Sequence, residues 1–507
     1  MILAGRLTLL ALGLGMAAVL AAVFSRADWP PHFARADWQV LRFTLVQALV
    51  SASLSVAFAV PLGRALARRR FFGRGALVML LGVPFLLPVI VAVFGIITVW
   101  GRSGWISDAL GLVSAGPVNI YGLWGVVLAH VFFNLPLATR MVLFGWARVP
   151  ASQHRLADGL GLSPWRRFLA IEAPMLRETL PGAFLLIFIL CVTSFAVVLT
   201  LGGGPRATSM EVAIFSAIRF EFDLGRAAIL ALVQLGICLV AAGVLMRMGR
   251  PAEMGADLLA GDWRGDARGR RTDGLVIALG AVFLMAPLLA VILRGVPGLL
   301  LLPKEVWGAL GMSLSISAVS ALLAVSGALV IAQAVLAGGG RMGEVVAALP
   351  MIVSPFVLGT GLFLILNPVV DPFAMAWPVT VGVNAALGLP FVLRMMVPSL
   401  ARVRRDYGPL CDSLGLTGWA RVRRVTWPGI RAPLGFAAGL ALALSMGDLG
   451  VIALFAPVDG ATLPLLMYRL MGAYRMDAAA GVALVLVAVS FAGFALLERG
   501  GRLGARL

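Results

Sequence analysis

Residues 156–165 read Leu-Ala-Asp-Gly-Leu-Gly-Leu-Ser-Pro-Trp, and residues 410–419 read Leu-Cys-Asp-Ser-Leu-Gly-Leu-Thr-Gly-Trp. Leu156, Asp158, Leu160, Gly161, Leu162 and Trp165 return as Leu410, Asp412, Leu414, Gly415, Leu416 and Trp419, 254 residues later. Each copy runs into arginines and then a proline: Arg166, Arg167 and Pro174 in the first, Arg421, Arg423, Arg424 and Pro428 in the second. The offset is half the chain, so the fold is a duplication. A polar loop written twice in a hydrophobic protein marks a place where a partner docks.

The rest of the chain is apolar. Hydrophobic residues make up 61% of the 507 and charged residues only 13%, against about a quarter charged in a soluble domain. This composition predicts an all-α polytopic membrane protein, because a backbone in lipid must satisfy its amides within its own segment. Apolar runs long enough to cross a bilayer fall near 3–24, 40–63, 76–99, 121–144, 181–201 and 226–246. They continue near 274–293, 307–334, 344–366, 378–400, 434–456 and 477–497, about 12 in all. The run at 3–24 resembles a signal sequence but is longer than a usual apolar core of one, and it reads as a retained first helix.

The net charge of +18 does not point to nucleic acid, because the arginines sit in short loops between spans, where they set orientation. With the N-terminus inside, the inner segments hold 30 of the 41 Lys and Arg, which favours both termini and both repeated loops in the cytoplasm. Lys304 is the single lysine, in Pro303-Lys304-Glu305, so the chain has no phosphate-binding Gly-Lys-Ser/Thr loop. Cys191, Cys238 and Cys411 lie too far apart in sequence to suggest a metal or disulfide framework.

The duplication extends past the loops. Leu135-Pro136 and Arg140-Met141 recur as Leu389-Pro390 and Arg394-Met395, Ala207-Thr208 as Ala461-Thr462, and Asp223 as Asp477. Trp38 pairs with Trp307 at an offset of 269, so the first half carries an insertion, most simply near 101–120. Six spans per half keep both halves in one orientation, a parallel repeat about an axis along the membrane normal. The halves are then 1–248 and 274–507, with repeat cores near 40–246 and 307–497, joined by a cytoplasmic linker at 249–273 rich in Gly, Asp and Arg.

In each repeated loop a short leucine-bearing helix is closed by glycine, and tryptophan restarts an arginine-rich stretch. A helix lying on lipid headgroups explains one such loop but not glycine in register in two. The pattern resembles the EAA loop of type I ABC importer permeases, although Arg155-Leu156-Ala157 and Pro409-Leu410-Cys411 stand where the family has Glu-Ala-Ala. Tyr121-Gly122-Leu123, 128–136 (Leu-Ala-His-Val-Phe-Phe-Asn-Leu-Pro), 201–208 (Leu-Gly-Gly-Gly-Pro-Arg-Ala-Thr), 91–96 (Val-Ala-Val-Phe-Gly-Ile) and 447–451 (Gly-Asp-Leu-Gly-Val) resemble the thiamine and thiamine pyrophosphate permeases of Gram-negative bacteria. Ferric-iron permeases share the fused two-half layout.

The resemblance implies a type I permease fold, a multi-pass position in the bacterial inner membrane, and membrane lipid around the chain. It implies two copies of an ATPase subunit at the cytoplasmic face and a periplasmic binding protein, with ATP and Mg on the ATPase and no cofactor on this chain. Asp158, Leu160, Gly161, Leu162 and Trp165, and Asp412, Leu414, Gly415, Leu416 and Trp419, become the two coupling loops. The candidate path residues are Asp448, its repeat partner Ser194, and Asn134. A carboxylate in a span is costly unless it lines a cavity or is paired, so Asp448 either faces a cationic substrate or bonds a backbone amide between Gly447 and Gly450. Gly202-Gly203-Gly204 reads as a flexible periplasmic loop that a binding protein could touch, and His130 as a polar contact between helices. Pro84, Pro88, Pro136, Pro350, Pro355 and Pro390 either kink helices around a path or serve packing. Ferric iron or a polyamine in place of thiamine fits the same class. An ion-coupled carrier with six plus six helices would need more ionisable residues in its spans, and a non-transporting scaffold would not need the docking loop twice.

Overall fold

A computed structural model describes residues 2–27, 34–112, 116–248, 269–339, 343, 346–347, 349–350, 353–457 and 460–502. Most of the expected linker, 249–268, lies outside the described residues. The first half contains α1 (Ile2–Arg26), α2 (Arg35–Arg68), α3 (Arg74–Leu80), α4 (Val89–Trp100), α5 (Trp105–Gly111) and α6 (Leu123–Arg148). It continues with α7 (Ala151–Gly159), α8 (Pro164–Arg167), α9 (Ala173–Val192), α10 (Ala196–Leu201), α11 (Met210–Ser216) and α12 (Leu224–Arg247). The second half contains α13 (Arg270–Gly298), α14 (Glu305–Ala334), α15 (Pro355–Leu366), α16 (Ala376–Ser413) and α17 (Gly418–Arg421). It ends with α18 (Trp427–Met446), α19 (Gly450–Phe455), α20 (Leu463–Gly472) and α21 (Met476–Arg502).

The chain is an all-helical polytopic membrane protein. Among the described residues, eleven helical segments are long and apolar enough to cross a membrane. In the ninth expected segment, 344–366, the shorter apolar helix α15 is described, and several residues before it are not. The segment expected as one span at 76–99 is divided into α3, a tight turn at Val83–Phe85, and α4. Proline is the cause: Pro84 lies in the turn and Pro88 caps α4, since a ring without an N–H starts helices more readily than it continues them. Pro355 likewise opens α15, whereas Pro136 and Pro390 lie inside α6 and α16.

The halves interlock through their first helices. The α1 helix packs on α14 and α15 of the second half, and α13 packs on α2 and α4 of the first. Both crossings are seated on a glycine at the seventh residue of the receiving helix, Gly361 in α15 and Gly95 in α4. A Cβ on Gly361 would lie 2.5 Å from Val19 Cγ1, and one on Gly95 would lie 2.5 Å from the Pro287 carbonyl oxygen. In lipid, helix association relies on such close packing, because tails compete equally for apolar side chains. An ion pair joins the halves again where α2 ends and α13 begins, with Arg69 Nε 2.6 Å from Asp273 Oδ2.

Candidate coupling loops and central path

Both repeated loops end a helix in the same way. After α7, Gly161 N–H donates to the Asp158 carbonyl (3.1 Å) and Leu162 N–H to the Ala157 carbonyl (3.1 Å). After α16, Gly415 N–H donates to Asp412 (3.3 Å) and Leu416 N–H to Cys411 (2.8 Å). This pair of bonds is the Schellman motif, which needs a left-handed residue after the cap. Gly161 has φ +61° and Gly415 φ +60°, a conformation that strains any residue with a Cβ. Under the cap, Ala157 and Cys411 are buried.

The repeated aspartates close each loop on itself. Asp158 pairs with Arg167 and Asp412 with Arg421 (2.9 Å), both nine residues on. The carboxylates remain 62% and 71% exposed, so each fixes its loop and is still reachable from outside. The leucines and tryptophans face away from the chain. Leu156, Leu160 and Trp165, and their equivalents Leu410, Leu414 and Trp419, are each between 55% and 74% exposed. Leu162 and Leu416 are half-buried. Two small apolar surfaces with the same geometry result, each held by a glycine cap and an aspartate–arginine strut.

Behind the first loop lies an ionic cluster that sequence reasoning did not find. Arg64 near the end of α2 grips the fully buried Glu172 with two bonds, Nε to Oε2 at 2.5 Å and Nη2 to Oε1 at 3.1 Å. His154, on α7, is 5% exposed. Burial pushes its pKa below the usual histidine value, the Arg167 charge lowers it further, and Glu172 opposes both. The signal was present as Arg64 and Glu172, but 108 residues separate them and periodicity does not reveal such a pairing.

The second group of candidates lies where two helices break. In the first half, residues 193–195 interrupt the run from α9 to α10; in the second, 447–449 interrupt α18 and α19. Ser194 and Asp448 occupy these matched breaks and are half-buried. Asp448 Oδ1 accepts the Gly450 N–H at 3.1 Å, while Oδ2 has no hydrogen-bond partner among the described residues. The backbone-amide role and an unfilled oxygen therefore coexist. Each break lies against the opposite half. A Cβ on Gly447 would be 3.1 Å from Pro88 Cα, and the Phe195 ring lies 4.3 Å from that of Phe356 on α15. Irregular backbone at membrane depth is tolerated where protein buries it or a cavity runs, so the structure puts Ser194 and Asp448 at the junction of the two halves.

Asn134 is placed elsewhere. It is buried between α6 and α9, its Nδ2 donating to the His130 carbonyl (2.8 Å) and contacting Cys191 Sγ at 3.4 Å. Gln47 Nε2 donates to the Cys191 carbonyl (2.8 Å), and Ser51 meets His130 Nδ1 at 3.3 Å. At the matched positions of the second half, Asn384 Nδ2 donates to Ser445 Oγ at 3.0 Å. These groups form a polar layer within each half, and His130 is such an interhelical contact.

Comparison with known proteins identifies the family. The family described as "Binding-protein-dependent transport system inner membrane component" matches residues 59–248. A protein of Brucella abortus (strain 2308) called "Thiamine transport system permease protein ThiP" is 42% identical over 91% of this chain and 87% of its own length. Its namesake in Escherichia coli (strain K12) is 41% identical over 91% of this chain and 89% of its own. That of Salmonella typhimurium (strain LT2) is 40% identical over the same shares, 91% and 89%. From the paired loops, the matched breaks and this similarity along nearly its whole length, the chain belongs to the binding-protein-dependent transport system inner membrane components, among the thiamine transport system permease proteins.

Proposed function

We propose that this permease carries thiamine or its phosphates inward, driven by ATP hydrolysed on two copies of a separate subunit. The observation that carries the coupling role is the twin apolar surface: Leu156, Leu160 and Trp165 on one loop, Leu410, Leu414 and Trp419 on the other, exposed alike. Two equal surfaces at equal places suit two equal partners. In this reading both loops and both termini lie in the cytoplasm, and a substrate-binding protein delivers cargo on the opposite, periplasmic side. ATP and Mg are held by the partner subunits. Closure of those subunits draws the two loops together, and the α9–α10 and α18–α19 breaks open toward the binding protein; hydrolysis resets them. Specificity for thiamine is supported by the names of the relatives, and Asp448, at the junction of the halves, offers negative charge to a thiazolium cation.

The test is import into proteoliposomes holding this chain with the ATPase subunit and the binding protein proposed to work with it. Thiamine uptake that requires ATP and the binding protein is the expected result. Uptake of ferric iron or a polyamine in place of thiamine would reassign the substrate, and gradient-driven uptake without the ATPase would overturn the coupling scheme. Replacing Leu160 and Leu414 by Asp is expected to release the ATPase subunits while the membrane part still purifies intact.

A further inference from the structure

Glu211 is a carboxylate that the coupling machinery does not use. Sequence reading leaves residues 202–225 between two spans as a loop, but the structure takes part of that loop into the bundle. The α11 helix begins against Thr44, whose Oγ1 accepts the Met210 N–H at 2.9 Å. Thr44 lies about 14 Å along α2 from its start, and Gln234 about 15 Å along α12 from its own, at 1.5 Å per residue. Glu211, bonded to Gln234, therefore sits within the bundle and is fully buried.

Its bonding is incomplete. Gln234 Nε2 donates to Glu211 Oε1, and Ser354, whose Oγ accepts the Val357 N–H at 3.2 Å to cap α15, lies beside the same carboxylate. Glu211 Oε2 and Gln234 Oε1 have no hydrogen-bond partner among the described residues, although both side chains are fully buried. Two acceptor oxygens without donors, at low dielectric, form a place that favours positive charge.

The start of α15 connects this place to the central break. Ser354 stands beside Glu211, and two residues on, Phe356 packs where a Cβ on Gly450 would lie 3.0 Å from its Cε2. Gly450 holds Asp448. The Phe356 ring meets Phe195, next to Ser194, at 4.3 Å, and Phe215, one turn after Glu211, at 6.4 Å. Phe195 and Phe215 are 5.3 Å apart. Neither carboxylate has an acidic counterpart by repeat: Ser194 matches Asp448, and Glu211 matches Leu465 at the 254-residue offset or Pro464 when the capping residues Ser209 and Thr462 are aligned. Each half thus contributes one carboxylate from a different position, with three phenyl rings among them. A compact metal ion gains little from phenyl rings, whereas a flat heteroaromatic cation gains from their faces and from the carboxylates together.

We propose that Glu211 and Asp448, with Phe195, Phe215 and Phe356, form a station in the translocation path for a flat heteroaromatic cation. This rests on the thiamine reading and names the part of the path that recognises the cation. The test uses the complete importer in proteoliposomes and measures thiamine carried per ATP hydrolysed. Glu211→Gln is expected to lower uptake about tenfold, the loss of one charge-assisted contact, while ATPase activity stimulated by the binding protein persists, so the ratio falls. Uptake equal to wild type, or uptake and ATPase activity falling together, would overturn the station and leave Glu211 a structural group. If Glu211→Gln does not assemble, Glu211→Asp is read on the same ratio, where a fall supports the station and an unchanged ratio overturns it. An unmodified importer that carries no thiamine would overturn the thiamine reading and the station with it; thiamine import with an unchanged ratio in the variant overturns the station alone.

Discussion

The two repeated loops present the same face and are supported differently. In the first half Pro150 stops the long helix, so α7 is a separate piece. In the second half Arg404 stands at that position and α16 runs unbroken for 38 residues into the loop. Behind the first loop are His154, Glu172 and Arg64; the equivalent residues of the second are Gly408, Thr426 and Gln333. Gln333 accepts instead from Arg404, and a Cβ on Gly408 would lie 3.5 Å from Arg421 Nη2. What stays equal is the cap, the aspartate–arginine strut and the exposed leucines and tryptophan. The inner faces pack against two different membrane halves, whereas the outer faces are alike, as the proposed docking of two equal partners requires.

The largest effect is expected at the glycine caps. Gly161→Val and Gly415→Val each place a β-branched residue in the left-handed region, at a cost of about 1–2 kcal/mol, or about a five- to thirtyfold shift in the population of the correctly closed loop. Each is expected to reduce thiamine uptake and coupled ATPase activity by a similar factor, with the chain still inserting and purifying normally. A large loss from one variant and none from the other would mean that only one loop couples.

Much of this was legible in the chain, because the features that set it are local. The Leu-Gly pair with its following hydroxyl residue predicts a helix end, and the 254-residue offset predicts its twin. Asp448 is conspicuous as a carboxylate in an apolar run, and the 254-residue offset leads from it to Ser194. Glu211 was not, because Met210-Glu211-Val212-Ala213-Ile214-Phe215 is too short for a span and reads as loop. Its depth depends on where Thr44 and Gln234 are, and both are distant in sequence. The same holds for Arg64 and Glu172, whose pairing requires α2 and the end of the coupling loop to meet. The prolines at 84 and 88 show the opposite failure: hydropathy reads through them, whereas the backbone stops at each.

Behind the first loop the expected effect is smaller. Glu172→Gln removes the buried carboxylate that Arg64 holds by two bonds. Breaking a buried ion pair costs about 3–5 kcal/mol, but Arg64 is 28% exposed and water partly screens it, leaving about 1–3 kcal/mol. The expected result is a melting temperature lower by several degrees for the purified membrane complex and a few-fold weaker uptake. Thr426→Val, at the matched place in the second half, is expected to change neither. Equal effects from both variants would mean that the second loop has a support equivalent to the ionic cluster.

The smallest effect is a dependence on pH that only the first loop should have. His154 lies with Arg167 and Glu172 around it, and Arg167 in turn is paired to Asp158. Its folded pKa is below the ordinary 6.5, first through burial and then through Arg167. An unfolded loop therefore takes up the proton before the folded one does. Its contribution to stability is complete above pH 6.5, falls as the pH drops below that value toward the folded pKa, and is lost below it. Over this window the melting temperature of the wild-type complex should fall with acidification more steeply than that of His154→Gln, which carries no ionisable ring there. Gly408→Ala in the second half should leave the wild-type slope unchanged. Identical slopes for wild type and His154→Gln would mean that the histidine is solvated in the assembled protein, and the asymmetry behind the loops would then rest on Arg64 and Glu172 alone.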